Sequence, residues 1–154
     1  MNYRAFQAQC AETYCVPSFP PNSPKGRAYF MLGALEETGE VAGVLKRVYR
    51  DQGGRPTYAT YDKFVKEVGD AYWYIAMADA NSSWLRHPWY RVRLALLKAR
   101  LRLLVVDAIN ANVLGVIAGW TGWSNWWQLV WTANGVKLRD RKARGVLHGS
   151  GDAR

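Results

Sequence analysis

The stretch AYFMLGALEETGEVAGVLKRVYRD, residues 28–51, holds three of the five glutamates of this chain. Its apolar residues recur with a period close to 3.6, which predicts an amphipathic helix beginning near Arg27. Glu37 and Glu40 stand three residues apart, so they share one face of that helix. The run QGGRP, residues 52–56, is expected to end it. The stretch therefore predicts a helix that carries a pair of carboxylates on one side.

A second acidic helix is predicted directly after the first. Residues 61–80 repeat the helical spacing, and Glu67 and Asp70 in KEVGD again share one face. Two helices joined by a short loop are expected to pack antiparallel as a hairpin. Carboxylates that face one another repel unless they are protonated or bridged by a cation, usually a hard divalent metal. Spacing alone thus makes a Mg²⁺-type site the first hypothesis, against the alternative of two solvent-facing acid pairs.

The rest of the chain is helical in pattern as well. Residues 3–14 predict a first helix, and residues 89–118 predict either one long helix or two shorter ones. The glycines of residues 119–122 are expected to break it, with Ser124 as the N-cap of a last helix. No alternating strand pattern of useful length occurs. The predicted fold class is all-α, in a single domain of residues 1–154.

Much of the formal net charge of +9 is gathered in two basic groups. Neither carries a recognisable nucleic-acid-binding motif. A solvated helix face, a nucleic-acid-binding surface and a basic rim around an anionic small substrate all stay open. The first group is Arg86, Arg91, Arg93, Lys98, Arg100 and Arg102, and the second is Lys137, Arg139, Arg141, Lys142 and Arg144.

Composition and hydropathy bound the class of protein. A hydrophobic content of 49% rules out a disordered chain. The most apolar stretch, residues 101–119, is interrupted by one aspartate and two asparagines and is not expected to span a membrane. Cys10 and Cys15 are interpreted as reduced thiols. These features predict a cytoplasmic protein, in the host cytoplasm if it is encoded by a phage.

The four-acid pattern Glu37-x-x-Glu40, a gap, then Glu67-x-x-Asp70 resembles the signature of the MazG-like all-α nucleoside triphosphate pyrophosphohydrolases. The stretch LGALEETGEVAGVLKRVYRD looks like the first motif helix of that family, and KEVGDAYWYIA looks like its second.

The C-terminal part of the chain extends this resemblance. Asn134, Lys137 and Arg141 match an N-x-x-K-x-x-x-R element, and the tail matches RG-x-x-x-GSGD-x-R, both common in phage-encoded members. The resemblance covers about residues 1–80 and 126–154. It implies a four-helix-bundle core, with residues 84–125 as an inserted helical segment and residues 145–154 as a tail.

The resemblance also implies a reaction. It is the Mg²⁺-dependent cleavage of the α–β phosphoanhydride of a (d)NTP to (d)NMP and pyrophosphate, in nucleotide-pool control or phage DNA precursor metabolism. Two or more Mg²⁺ ions, with Mn²⁺ as a substitute, would be held by the same four acids that serve in catalysis: Glu37, Glu40, Glu67 and Asp70. Glu36 stands where phage relatives often have a small residue, and its role as a further metal ligand stays open. A guanine deoxynucleotide is the favoured substrate.

On the substrate side, the resemblance assigns further residues. Lys137 and Arg141 share one helix face and suit phosphate contacts, with Lys46 as a further phosphate candidate. Asn134 could donate to the sugar, a phosphate or the base, and Tyr74 could stack on or bond the sugar and base. A homodimer or homotetramer is expected, and neither a membrane nor a nucleic acid is expected as a partner. The competing hypothesis is a basic helical nucleic-acid-binding or regulatory module with vestigial acid clusters.

Overall fold

A computed structural model describes residues 2–16, 18–81, 88–110 and 115–145, with side chains described except at 90, 106–110 and 115–127. All regular structure in those ranges is helical, which confirms the all-α prediction for this part of the chain. The helices are α1 (Tyr3–Glu12), α2 (Pro24–Gln52), α3 (Tyr58–Ala80), α4 (Pro88–Asn110) and α5 (Gly115–Ala143). None of the helices, over the residues described, is long and apolar enough to cross a membrane.

Local sequence sets both ends of α2. The helix begins at Pro24, slightly before the predicted start, because the Ser23 hydroxyl accepts a 3.1 Å hydrogen bond from the Gly26 N–H and proline suits the first turn. It ends where Gly53 takes a left-handed conformation with φ 56° and donates its N–H to the Val48 carbonyl. The predicted stop at the Gly-Gly pair is therefore confirmed.

Helices α2 and α3 form the antiparallel hairpin that the short loop predicts. Near the loop, Gln52 Nε2 donates a 2.9 Å hydrogen bond to Thr60 Oγ1. At the far end, the rings of Tyr29 and Tyr74 lie 5.6 Å apart between centroids. The early part of α2 thus meets the late part of α3, and the two motif helices face each other along their length.

The core lies around α3, which contacts each of the other helices. Burying a valine or phenylalanine side chain stabilises the fold by roughly 1.5–3 kcal/mol, so these contacts dominate the packing energy. The fully buried large side chains are Phe6 from α1, Phe30, Val41, Val44 and Val48 from α2, Phe64, Val68, Ile75 and Met77 from α3, and Leu101 and Val105 from α4.

The predicted break at residues 119–122 is wrong. Helix α5 begins at Gly115 and continues without interruption through those residues, so Ser124 lies inside it and is not an N-cap. A glycine inside a helix costs only about 1 kcal/mol relative to alanine, which a helix of 29 residues tolerates. Of residues 89–118, predicted as one long helix or two shorter ones, those up to Asn110 belong to α4 and those from Gly115 belong to α5.

Two sequence predictions fall on residues outside the described ranges. The GSGD element of the tail lies in residues 146–154, and the predicted insertion includes residues 84–87 and 111–114. The division of the chain into a core and an insertion stays a prediction.

Candidate metal centre

Three carboxylates from the hairpin meet between α2 and α3. Glu37, Glu67 and Asp70 each offer one oxygen, and these oxygens all lie within 4.8 Å of one another. Glu67 is buried, with 5% of its surface exposed, and the other two are half-buried. Carboxylate oxygens at such spacing form a hard-ligand set that could hold a divalent metal ion. Three of the four acids that the sequence pattern singled out thus lie together in the structure.

The carboxylates carry strongly perturbed acidities. Burial, followed by the charges of Asp70, Glu40 and Glu67, raises the pKa of Glu37 to about 8. Burial, followed by the charges of Glu40 and Asp70, raises the pKa of Glu67 to about 7. Both pKa values are raised because ionised carboxylates are unfavourable in this cluster without a compensating cation. A bound divalent ion would supply that compensation, so the donor set fits the metal that the sequence predicts.

Glu40 and Glu36 stand at the margin of this cluster. Glu40 is exposed, yet its charge is among those that raise the pKa of both Glu37 and Glu67. Glu36 is also exposed, and its charge contributes to raising the pKa of Tyr74, whose largest cause is burial. The predicted ligand Glu40 therefore lies beside the three clustered carboxylates, whereas Glu36 lies nearer the tyrosine.

Asp70 forms hydrogen bonds with two side chains of the N-x-x-K-x-x-x-R element on α5, which we call the third motif. Asn134 Nδ2 donates a 2.8 Å hydrogen bond to Asp70 Oδ1, and Lys137 Nζ donates one to Asp70 Oδ2. Asn134 is 2% exposed, and its buried Oδ1 has no hydrogen-bond partner in the described part of the chain. The structure thus joins the second and third motifs directly, through the orientation of one carboxylate.

Gly69 makes this approach of α5 to α3 possible. A Cβ at this position would lie 2.9 Å from the Asn134 Cβ, closer than real side chains allow. Sequence reasoning missed this role, although the glycine directly before the motif aspartate was the signal. A small residue is required where another helix comes close.

Tyr74 lies over α2 one turn beyond Asp70. Its ring fills the space that a side chain at Gly33 would need, since a Cβ there would lie 2.2 Å from the tyrosine Cε1. The hydroxyls of Tyr29 and Tyr74 are 3.4 Å apart, within hydrogen-bond reach. Tyr29, which sequence reasoning did not single out, therefore extends the same side of the hairpin away from the carboxylates.

The other predicted phosphate contacts differ in position. Arg141 is half-buried on α5, one turn beyond Lys137, as predicted. Lys46 is exposed and follows Glu37 by nine residues, about two and a half turns, which places it on the opposite side of α2. Lys63, absent from the sequence predictions, forms a 3.8 Å ion pair with Glu67.

Comparison with known proteins finds a distant phage relative. The chain is similar to the Gene 37 protein of Mycobacterium phage L5, with 28% identity over 155 residues covering the whole of both chains. No family model and no solved structure matches the chain. This match agrees with the expectation of phage relatives. The fold and the acid cluster are described from the structure of this chain alone.

Proposed function

We propose that this protein is a Mg²⁺-dependent nucleoside triphosphate pyrophosphohydrolase of the MazG-like type. The observation that carries the proposal is the meeting of Glu37, Glu67 and Asp70 within 4.8 Å, beside two polar donors on a third helix. A triphosphate is polyanionic, so its hydrolysis needs both a cation site and positive side chains.

Each residue has a specific task in this proposal. Glu37, Glu67 and Asp70 would hold the metal, with Glu40 completing the set on the exposed side. Bound Mg²⁺ ions, two or more, would neutralise phosphate oxygens and lower the pKa of a water. Asn134 keeps the Asp70 carboxylate in one orientation. A carboxylate of this set that is not fully used as a metal ligand could accept the proton of that water.

The substrate would lie between the carboxylates and α5. Lys137 and Arg141 bring positive charge to one side of α5, suited to the phosphates. Tyr74 and Tyr29 form an aromatic pair further along the hairpin, suited to the sugar or base. A guanine deoxynucleotide is proposed from the resemblance alone.

A homo-oligomer is proposed from the outer surface of α2 and α4. These helices pack against each other, yet each exposes large apolar side chains, including Leu32 at 65% and Trp89 at 71% exposure. Exposed apolar area of this kind marks interaction surfaces. We name the set the α2–α4 outer surface: Leu32 and Leu35 on α2, and Trp89, Val92, Leu96 and Leu103 on α4.

The activity is tested by incubating the protein with each common ribo- and deoxyribonucleoside triphosphate in Mg²⁺, in Mn²⁺ and in EDTA. Chromatography of the products should show a nucleoside monophosphate and pyrophosphate in equal amounts, and neither in EDTA. Glu12→Gln is the matched control, because Glu12 is an exposed glutamate of α1 outside the cluster. Glu37→Gln should lose turnover, and Glu12→Gln should retain it.

The competing hypothesis makes opposite predictions. The cations Arg91, Arg93 and Arg100 of α4 are exposed and could attract a nucleic acid. Salt-sensitive retardation of DNA or RNA in a gel, with no hydrolysis of any triphosphate, would favour the binding module and overturn the enzyme.

A further inference from the structure

A cavity of about 260 Å³ lies on the other side of α3 from the carboxylates. Tyr72 follows Asp70 by two residues, which turns its side chain by roughly 200° around the helix. Four helices contribute to the cavity, which is lined by Tyr3 of α1, Tyr72 of α3, Lys98 and Arg102 of α4, and Trp131 of α5. None of these residues belongs to the proposed catalytic site.

Two of the lining residues, Tyr3 and Lys98, share one carboxylate, that of Asp79. Asp79 Oδ2 accepts a 2.7 Å hydrogen bond from the Tyr3 hydroxyl and pairs with Lys98 Nζ. Burial, together with the bond to Asp79, raises the pKa of Tyr3, which therefore stays a donor at physiological pH. Asp79 thus balances one of the two cations that line the cavity.

The second cation has no such balance. The Arg102 side chain is exposed and bonds the Tyr72 hydroxyl, which opposes the rise that burial imposes on the pKa of Tyr72. Among the ion pairs of the described residues, none includes Arg102. Counted over the side chains that the structure describes, the cavity therefore carries one surplus positive charge, on a guanidinium whose fork suits an oxyanion.

The walls of the cavity are held in place by aromatic packing. The Trp131 rings lie 5.7 Å from the Tyr3 ring, 5.6 Å from the Phe6 ring and 6.4 Å from the Tyr72 ring, between centroids. The indole Nε1–H of Trp131 is buried and has no hydrogen-bond acceptor among the described residues. Buried N–H donors normally have an acceptor. We therefore expect the NMR signal of this N–H to shift when a negatively charged group binds nearby.

We propose that this cavity is a second ligand site, which binds the phosphate group of a small molecule between Arg102 and Lys98. The guanidinium would hold two phosphate oxygens, and the Lys98 ammonium, which is already paired with Asp79, would add a hydrogen-bond donor at the cavity wall. The volume is below the usual range of roughly 300–1,000 Å³ for sites that enclose drug-sized ligands. Inorganic phosphate, pyrophosphate and the phosphate end of a nucleoside monophosphate share this chemistry. The site does not depend on the proposed hydrolytic activity.

The experiment follows the indole N–H signals of the ¹⁵N-labelled protein in two-dimensional NMR spectra. The Trp131 signal is assigned by its loss in Trp131→Phe. Inorganic phosphate, pyrophosphate and a nucleoside monophosphate are titrated separately in EDTA, so that no metal links them to the carboxylates. Sodium chloride of equal ionic strength is the blank. We expect a saturable shift of the Trp131 signal with at least one phosphate compound, and the compound that binds most tightly identifies the source.

Two substitutions on α4 decide the result. Arg102→Gln should weaken the apparent affinity about tenfold or more, because it removes a bidentate charged contact. Arg100→Gln removes an equal charge from an exposed position of the same helix outside the cavity, and should leave the affinity unchanged. Arg102→Lys keeps the charge without the fork, so its apparent affinity should lie between those of the two glutamine variants. It also tests the site if Arg102→Gln proves unstable. A Trp131 signal that moves only as in the sodium chloride blank, or equal affinities in the two glutamine variants, would overturn the site.

Discussion

Asn134 Nδ2 lies 2.8 Å from Asp70 Oδ1 and donates a hydrogen bond across 64 residues of sequence. This contact joins the third motif to the second, and it lies in a buried place because Asn134 is 2% exposed. Since Lys137 bonds the other oxygen of the same carboxylate, Asp70 is oriented from both sides by α5. The acid cluster is therefore built on three helices, although its carboxylates come from two.

Removing the asparagine amide should loosen Asp70. We expect Asn134→Ala to lower the free energy of unfolding by about 1–3 kcal/mol, the usual cost of losing a buried hydrogen bond to a charged group. Metal affinity or turnover should fall by about 10–100-fold, as for other groups that orient a ligand. Chemical denaturation and a Mg²⁺ titration measure the two effects. Thr132→Ala, at an exposed position of α5, is the control, and equal behaviour of both variants would contradict the orienting role.

Glu37→Gln should separate stability from activity. In the metal-free protein at high pH, the substitution removes a carboxylate that burial and its neighbours disfavour, so the melting temperature should rise. The same variant should bind Mg²⁺ more weakly and lose pyrophosphate release by about 100-fold or more, in line with the loss of a metal ligand. Differential scanning fluorimetry with and without MgCl₂ checks the first part. A lower melting temperature without metal would contradict the electrostatic account.

The metal-free protein should lose stability as the pH rises. The pKa of Glu37 is about 8 in the folded chain against an ordinary value of 4.5, so the folded state holds its proton more tightly. The resulting stability is fully present below 4.5 and is lost as the pH rises through about 7 and 8, the raised pKa values of Glu67 and Glu37. The melting temperature should fall by roughly 2–4 °C for each kcal/mol lost.

Saturating Mg²⁺ should oppose this decline, since an ion that binds only the folded state adds stability. Its effect should be largest at high pH, where the carboxylates are deprotonated. A melting temperature that stays flat over this pH range without metal would count against the buried acid cluster.

Two glycines of α2 should respond oppositely to the same substitution. A Cβ at Gly33 would lie 2.2 Å from the ring of Tyr74, so Gly33→Ala should displace that ring and cost about 1–3 kcal/mol. A Cβ at Gly39 would meet nothing within 4 Å, so Gly39→Ala should stabilise the helix by about 0.5–1 kcal/mol. Denaturant unfolding of both variants tests the contrast. Equal changes in the two would show that the tyrosine does not fill the space over Gly33.

The α2–α4 outer surface should control the oligomeric state. Leu96 is 55% exposed and is one of the α4 residues of this surface. Leu96→Glu should therefore shift the molar mass, measured by light scattering, toward that of a single chain. Leu129→Glu is the control, because Leu129 is a 41% exposed leucine on α5 outside this surface. An unchanged mass in Leu96→Glu would place the contact elsewhere or show that the protein is a monomer.

Local sequence was sufficient for the helical class and for the hairpin. The period of Val41, Val44 and Val48, the Ser23 cap and the Gly53 stop act over a few residues, so their outcome can be predicted without the rest of the chain. The spacing of Glu67 and Asp70 likewise places both on one helix face. The same reasoning failed at residues 119–122, where glycines indicated a break and the helix continues.

Tertiary structure decided what those helices meet. The spacing could not tell that Glu37 joins Glu67 and Asp70 while Glu40 stays exposed, because a helix face is wide and only packing selects which part is buried. It also could not show that Asn134 bonds Asp70 or that Gly69 allows the approach, since both depend on where α5 crosses α3. Local hydrogen bonding and periodicity thus account for most helix positions and for the acid pairs. The joining of those acids into one buried centre was decided by long-range packing alone.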